Sequence, residues 1–310
     1  MRLVFFGTPE IAVPLLAALH GHHEIAAVVC QPDRPQGRSL KLTPPPVKAW
    51  ALEHGVAVVQ PEKLNDGLFE RWLREQSPDL CPIAAYGRIL KQPILDVPRH
   101  GFLNFHPSLL PLYRGPSPIQ SALLNGDAVT GVTIMRLCLE MDAGDIQLQE
   151  RVEIAPDENA GTLSGRLSGI GATLMLRALS QVQDGTAVYT PQDHARAVHC
   201  RMFSKSDGFI RWRDSAQAIH NRVRASNPWP AAQCWFRGMI CKILESEVVP
   251  GDIQSLPGTV VQVDKVRLLV ATGNGLLSIK VFQVPGKKAM PIGDFLKGHT
   301  VSPGDYFLDL

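Results

Sequence analysis

Asn104, His106 and Asp142 are the residues whose types and spacing could do chemistry together. Asn104 and His106 stand two apart at the end of the apolar run 101–105, so they project to one side if a strand continues through them. An amide and an imidazole so placed can both donate hydrogen bonds to a developing oxyanion. Asp142 follows in a Gly-bearing turn, EMDAGD from Glu140 to Asp145, and a carboxylate beside a histidine favours the imidazolium and raises its pKa. Acyl transfer to an amine without a covalent enzyme intermediate needs these groups. A serine nucleophile would need another setting, and no G-x-S-x-G elbow is present. Taken singly, each residue more often serves structure, as a strand-end Asn, a hydrogen-bonded His and a turn-forming Asp. The trio gains meaning only from elements that bring its members together.

Those elements can be read from the first 150 residues, where β-branched runs at 3–6 and 25–30 enclose an amphipathic stretch at 11–19. Further strands are expected at 57–59, 80–84, 101–105 and 131–137. This rhythm predicts βαβ units and a parallel-rich sheet covered by helices, with ligands beyond the carboxyl ends of the strands. Gly7-Thr8-Pro9 follows the first strand where a dinucleotide fingerprint would begin, but Pro9 stands in place of its second glycine. The expectation is a Rossmann-like topology without dinucleotide binding. Prolines at 107, 111, 116 and 118 restrict the loop after His106, so that loop is stiff. A helix is expected over 162–179.

At 310 residues two domains are the leading expectation, with a single large barrel as the alternative. We expect an α/β domain at 1–190, a polar and basic linker at 191–206, and a second domain at 207–310. In the last, a helix at 215–224 precedes short strands at 241–244, 258–263, 267–271 and 276–281, a spacing that predicts a small antiparallel, OB-like β-barrel. Hydrophobic residues make up 45% of the chain and charged residues 19%, which excludes disorder. The net charge is +2, unevenly spread: residues 1–190 hold 16 Lys and Arg against 19 Asp and Glu, residues 191–310 hold 15 against 10. The second half is therefore expected to meet something anionic, with a solvated surface as the plainer alternative. Six cysteines without a CxxC pair read as reduced thiols of a cytoplasmic protein, and their spacing suits no metal. No apolar run approaches the ~18 residues of a membrane span.

The segment NFHPSLLPLYRG from Asn104 to Gly115, continued through GVTIM from Gly131 and MDAGD from Met141, resembles the signature of the 10-formyltetrahydrofolate-dependent formyltransferases. The resemblance implies that an amine attacks the formyl carbon on N10 of the folate. Asn104 and protonated His106 would hold the oxyanion, while Asp142 orients His106 and helps move protons. It also implies a folate site along Ala85, Tyr86, Gly87, Arg88, Ile89 and Leu90, and along Ser108, Leu109, Leu110 and Pro111. Phe105 and Pro107 stand where the family more often has Val and Gly or Ala. Neither change removes a functional group.

The flanks resemble those of family members that formylate methionyl initiator tRNA. FGTP at Phe6–Pro9, QPDRPQGR from Gln31 to Arg38, SNPWP from Ser226 to Pro230 and PGKKAM from Pro285 to Met290 carry this likeness. Arg34, Arg38, Lys41 and Lys48 lie in a Pro- and Gly-punctuated loop after the second strand and are expected to reach the acceptor end of a tRNA, with a basic solvated surface as the plainer alternative. Lys205, Arg211, Arg213, Arg222, Arg224, Lys287 and Lys288 would meet its phosphates. A monomer is expected. Two alternatives are a relative that formylates a small amine, whose second domain would bind a small molecule, and a non-catalytic RNA- or folate-binding module, which loss of one of the trio would have signalled.

Overall fold

The computed structural model describes residues 1–36, 41–251 and 255–310, which divide into two compact units. Unit 1 comprises Met1–Pro118, Val129–Glu153 and Ser164–Arg201. Unit 2 comprises Ile119–Ala128, Ile154–Leu163 and Met202–Leu310.

In unit 1 the strands are β1 (Arg2–Gly7), β2 (Glu24–Val29), β3 (Arg34–Gln36), β4 (Lys41–Thr43), β5 (Val58–Val59), β6 (Cys81–Ala84), β7 (Phe102–His106), β8 (Val129–Arg136) and β9 (Ile146–Glu153). The main sheet runs β5-β2-β1-β6-β7-β8-β9, while β3 and β4 pair with each other. The first five strands are parallel; β8 and β9 are added antiparallel beside β7. β1 is apolar along its length because a central parallel strand is covered on both faces, and Leu3 to Phe6 are fully buried. Phe6 meets the rings of Phe69, Tyr86 and Phe102 edge-on, which ties β1 to the loop after β6 and to the start of β7. β9 escapes the apolar-run reading because IQLQERVE buries only Gln147 and Val152, as befits an edge strand.

Helices α1 (Val13–His20), α2 (Pro46–Glu53), α3 (Leu68–Gln76) and α4 (Gln92–Leu95) connect the parallel strands, and α5 (Pro118–Asn125) precedes β8. The long α6 (Ala160–Gln183) starts where the Asn159 side chain accepts from Gly161 and Thr162 N–H at 2.9 and 3.0 Å. Leu167, Leu174, Met175, Ala178 and Val182 form its buried stripe at helical spacing.

Unit 2 carries α7 (Ala216–Ser226), capped by the Ser215 hydroxyl, and α8 (Ile292–Gly298). Its strands are β10 (Ala232–Phe236), β11 (Met239–Val249), β12 (Val260–Val263), β13 (Leu268–Ala271), β14 (Leu276–Gln283), β15 (Met290–Pro291) and β16 (Phe307–Leu308). They form an antiparallel sheet in the order β12-β13-β14-β11-β10-β16. A Thr259–Tyr306 bridge and the bond from Phe307 N–H to Gly258 C=O join the β12 and β16 edges, so the sheet closes. The interior is filled by Trp212, Phe236, Phe282, Phe295 and Phe307. This is the small barrel, OB-like in class, that the short strands announce. Among the described residues no helix is long and apolar enough to cross a membrane.

Candidate active site

The carboxyl ends of β1, β6 and β7 lie side by side, since Gly7 pairs with Ala84 and Ala84 with Phe105. β7 is buried throughout, and it projects Asn104 and His106 to the same side. They are only 8% and 4% exposed. Asp142 joins them from the turn after β8: its Oδ2 lies 3.7 Å from His106 Nδ1, and its Oδ1 accepts a long 3.4 Å bond from Asn104 Nδ2. The three residues therefore form one cluster.

The loop after β7 completes it. Tyr113 and Gly115 both have positive φ, at 60° and 123°, and this irregular backbone turns polar groups inward. The Tyr113 carbonyl accepts from His106 Nε2 at 2.9 Å, and the Gly115 N–H donates to Asp142 Oδ2 at 2.8 Å. With Nε2 carrying a proton toward Tyr113, the Nδ1 side of a neutral ring is left facing the carboxylate. Burial pushes the His106 imidazole below its ordinary value, while Asp142 and the Tyr113 carbonyl pull the other way without prevailing. The raised pKa expected from the carboxylate alone is thus overturned, because desolvation of a ring only 4% exposed is the larger effect.

Two further groups stiffen the cradle. Thr133 on β8 donates to the Ser108 carbonyl and accepts from Leu110 N–H, at 2.6 and 3.2 Å, and Gln149 on β9 donates to the Leu110 carbonyl at 2.8 Å. Leu109 sits so close to β8 that a Cβ on Gly131 would strike it. The Ser108 hydroxyl donates to the Leu112 carbonyl at 2.6 Å, inside the loop. Along 85–90, Tyr86 and Leu90 are buried anchors, whereas Ala85, Gly87 and Ile89 are exposed. Gln31 donates to the Tyr86 and Gly87 carbonyls at 2.9 and 3.2 Å, and Thr8 donates to that of Tyr86 at 3.1 Å. Arg88 is turned away, holding the Pro61 and Glu62 carbonyls.

Family comparison fits this geometry. The formyl transferase family model matches residues 1–179, and the model of the formyl transferase C-terminal domain matches residues 202–300. The chain belongs to the formyl transferase family. It is 42% identical to a methionyl-tRNA formyltransferase of Agathobacter rectalis over 99% of both chains, and 43% identical to one of Moorella thermoacetica over 98% of both. In fold it is similar to HypX from Aquifex aeolicus in complex with tetrahydrofolic acid, with a TM-score of 0.66 and 18% identity. That likeness covers 99% of this chain and 51% of the other, so the chain spans about half the length of HypX.

The basic residues of this formyl transferase fall into two kinds. Lys205, Arg211, Arg213, Lys287 and Lys288 of unit 2 are exposed. Arg222 is paired with Asp214 at 2.9 Å. Arg224, expected to meet phosphates, is instead 8% exposed and donates to Asn221 Oδ1 at 2.9 Å, with longer bonds to the Ala155 and Glu158 carbonyls. A guanidinium so enclosed and committed to partners within its own unit does not present itself to solvent. In unit 1 Arg34 is exposed and donates to Gln31, while Lys48 is bound to Asp33 and Gln60 at 2.8 Å. Lys41 heads β4, and Arg38 lies outside the described residues.

Residue types alone had not singled out Arg114 and Gln192. Arg114 is 1% exposed and bonds to Gln192, Glu140 and His194. Gln192, within the segment read as a linker, is 5% exposed and donates to the Asp142 and Gly144 carbonyls. Arg114 stood inside the YRG motif and could have been suspected. Nothing in the polar run around Gln192 distinguishes it.

Proposed function

We propose that this chain is a methionyl-tRNA formyltransferase, moving the formyl group of 10-formyltetrahydrofolate to the α-amine of methionyl initiator tRNA. The observation that carries this reading is the buried Asn104–His106–Asp142 cluster at the carboxyl end of β7. The extent of the likeness to methionyl-tRNA formyltransferases, over both units, supports the choice of acceptor.

The 85–90 segment suits the flat heteroaromatic end of a folate: exposed Ala85 and Gly87, small residues, let a flat ring approach the backbone, and exposed Ile89 offers an apolar face. Ser108 acts there through backbone shape, its hydroxyl being bound within the loop.

The reaction joins the amine nitrogen to the formyl carbon, converts the formyl oxygen to an oxyanion and then breaks the bond to N10. The amine gives up one proton and N10 takes one. A terminal α-amine has a pKa of about 7.7–8.0, so a useful fraction is neutral at physiological pH. Asn104 has a second amide N–H besides the long bond to Asp142, and it donates that one to the oxyanion. His106 enters neutral, accepts the proton shed by the amine at Nδ1, and passes it on as N10 leaves. Asp142 steadies the imidazolium in between. Positioning and this proton path supply the catalysis.

Purified protein with 10-formyltetrahydrofolate should formylate methionyl initiator tRNA, read as acid-stable label on the amino acid, and leave amino sugars and glycinamide ribonucleotide untouched. Transfer to either small amine but not to the charged tRNA would discard the proposed acceptor. No transfer to any amine would discard the enzyme.

A further inference from the structure

Both loops that complete the cluster are held by one segment, residues 192–200 of unit 1. Its backbone runs beside the loop after β7: Arg114 N–H donates to Val198 C=O and Cys200 N–H to Arg114 C=O, each at 2.8 Å, and Val198 N–H to Pro111 C=O at 3.1 Å. The approach is close enough that a Cβ on Gly115 would collide with the Cys200 carbonyl. The segment thereby fixes the loop whose Tyr113 carbonyl accepts from His106 Nε2 and whose Gly115 N–H donates to Asp142.

Gln192 holds the other loop. Its Nε2 donates to Asp142 C=O at 2.9 Å and to Gly144 C=O at 2.7 Å, and its Oε1 accepts from Arg114 Nε and Nη2 at 3.0 and 2.9 Å. A primary amide has two donors and one two-fold acceptor, and here every one is used. The Asp142 backbone needs such restraint, because its φ of +52° lies in the left-handed region that a residue with a Cβ disfavours. Gly144 cannot take up slack, since a Cβ there would run into the Arg136 carbonyl. Neither family model covers this position, the matches ending at 179 and resuming at 202.

We propose that Gln192, clamped by buried Arg114, is a positioning residue for formyl transfer: it holds the Asp142 turn so that the carboxylate faces His106 and Asn104. The proposal rests on the reading of Asp142 given above. Gln192 touches no reacting atom; it acts through the Asp142 backbone.

Gln192→Glu tests it. The shape and the Arg114 contacts are kept, while the two turn carbonyls lose their donor and face a carboxylate instead. The kcat should fall on the order of 10²-fold, as for a displacement of about 1 Å at a reacting group. KM for folate and for tRNA should stay within about twofold. In an Asp142→Asn background the same change should cost nothing further, because the group it positions is already gone. Gln192→Asn, which keeps the amide and shortens its reach, should repeat this pattern more mildly, and it decides the question if the Glu variant does not fold. An unaltered kcat, a loss carried by KM, or an equal loss in both backgrounds would overturn the proposal and leave Gln192 a structural brace. Should Asp142→Asn alone turn over as fast as the unaltered protein, the reading of Asp142 falls first, and the two failures are told apart.

Discussion

A neutral imidazole between two acceptors, the Tyr113 carbonyl and the Asp142 carboxylate, is poised to take up a proton rather than to hold one. The same fact makes stability depend on pH with a definite sign. His106 is depressed below 6.5 in the folded protein by burial, so as pH falls through 6.5 the unfolded chain binds a proton that the folded chain refuses. Stability from this group is complete above about pH 6.5 and is lost progressively below it, down to the folded pKa. Thermal melts at pH 8 and pH 5 should therefore differ less for His106→Gln than for the unaltered protein. Asp142→Asn should widen the difference, because the carboxylate that partly offsets burial has been removed. Equal spans in all three proteins would show that His106 does not titrate as its burial dictates. The partly buried His220 and His23 contribute in the same direction to every variant and leave the comparison intact.

At the scale of elements, Phe105 and α6 show how the carboxyl end of β7 is kept in place. The Phe105 ring lies against Gly171 so closely that a Cβ at 171 would penetrate it, whereas a Cβ at Gly165 or Gly169 of the same helix meets nothing. Replacing glycine by alanine inside a helix ordinarily stabilises by about 1 kcal/mol, and Gly165→Ala and Gly169→Ala should do so. Gly171→Ala should instead destabilise by about 1–3 kcal/mol through overpacking and should revert to stabilising once Phe105 is changed to Val. Denaturant melts of these single and double variants check this; a stabilising Gly171→Ala with Phe105 present would refute it. The contact also explains why a large residue is tolerated beside His106.

Much of this element level was legible beforehand. β1, β7 and β8 announce themselves because strands covered on both faces are apolar runs, and α6 because its stripe repeats at helical spacing. β9 did not, since an edge strand exposes most of its side chains and IQLQERVE resembles a polar loop. That Asn104, His106 and Asp142 come together was legible from residue type and spacing with a long motif. Gln192 was not, because what makes it matter is burial against a distant turn, and local composition carries no trace of that. Arg224 misled for the mirror-image reason: a basic residue on a basic helix reads as surface, yet its neighbours on α7 turn it inward.

For the whole molecule, the exposed basic residues of unit 2 set the expected response to salt. Association with RNA phosphates releases counterions, so KM for tRNA should climb steeply with salt while KM for folate stays level. Changing Lys287 and Lys288 to Ala should lower the slope of log KM against log salt by roughly 0.7–0.9 for each phosphate left without its lysine. Arg224→Ala should leave that slope alone and lower the melting temperature, as expected when the buried Asn221 Oδ1 and Glu158 carbonyl lose a donor. A changed slope for Arg224→Ala, or an unchanged one for the lysine pair, would reverse these assignments.

Unit 2 is not one stretch of chain. Its fragments 119–128 and 154–163 are made long before residues 202–310, and their carbonyls at Leu124, Ala155 and Glu158 accept from the side chains of Asn221 and Arg224. During synthesis, therefore, a chain of about 200 residues has received all of unit 1 yet carries two pieces of unit 2 that still lack the donors of Asn221 and Arg224. The order in which the ribosome delivers the sequence and the order in which its parts can mature are different, and the last third of the chain must arrive before the earlier fragments find their place.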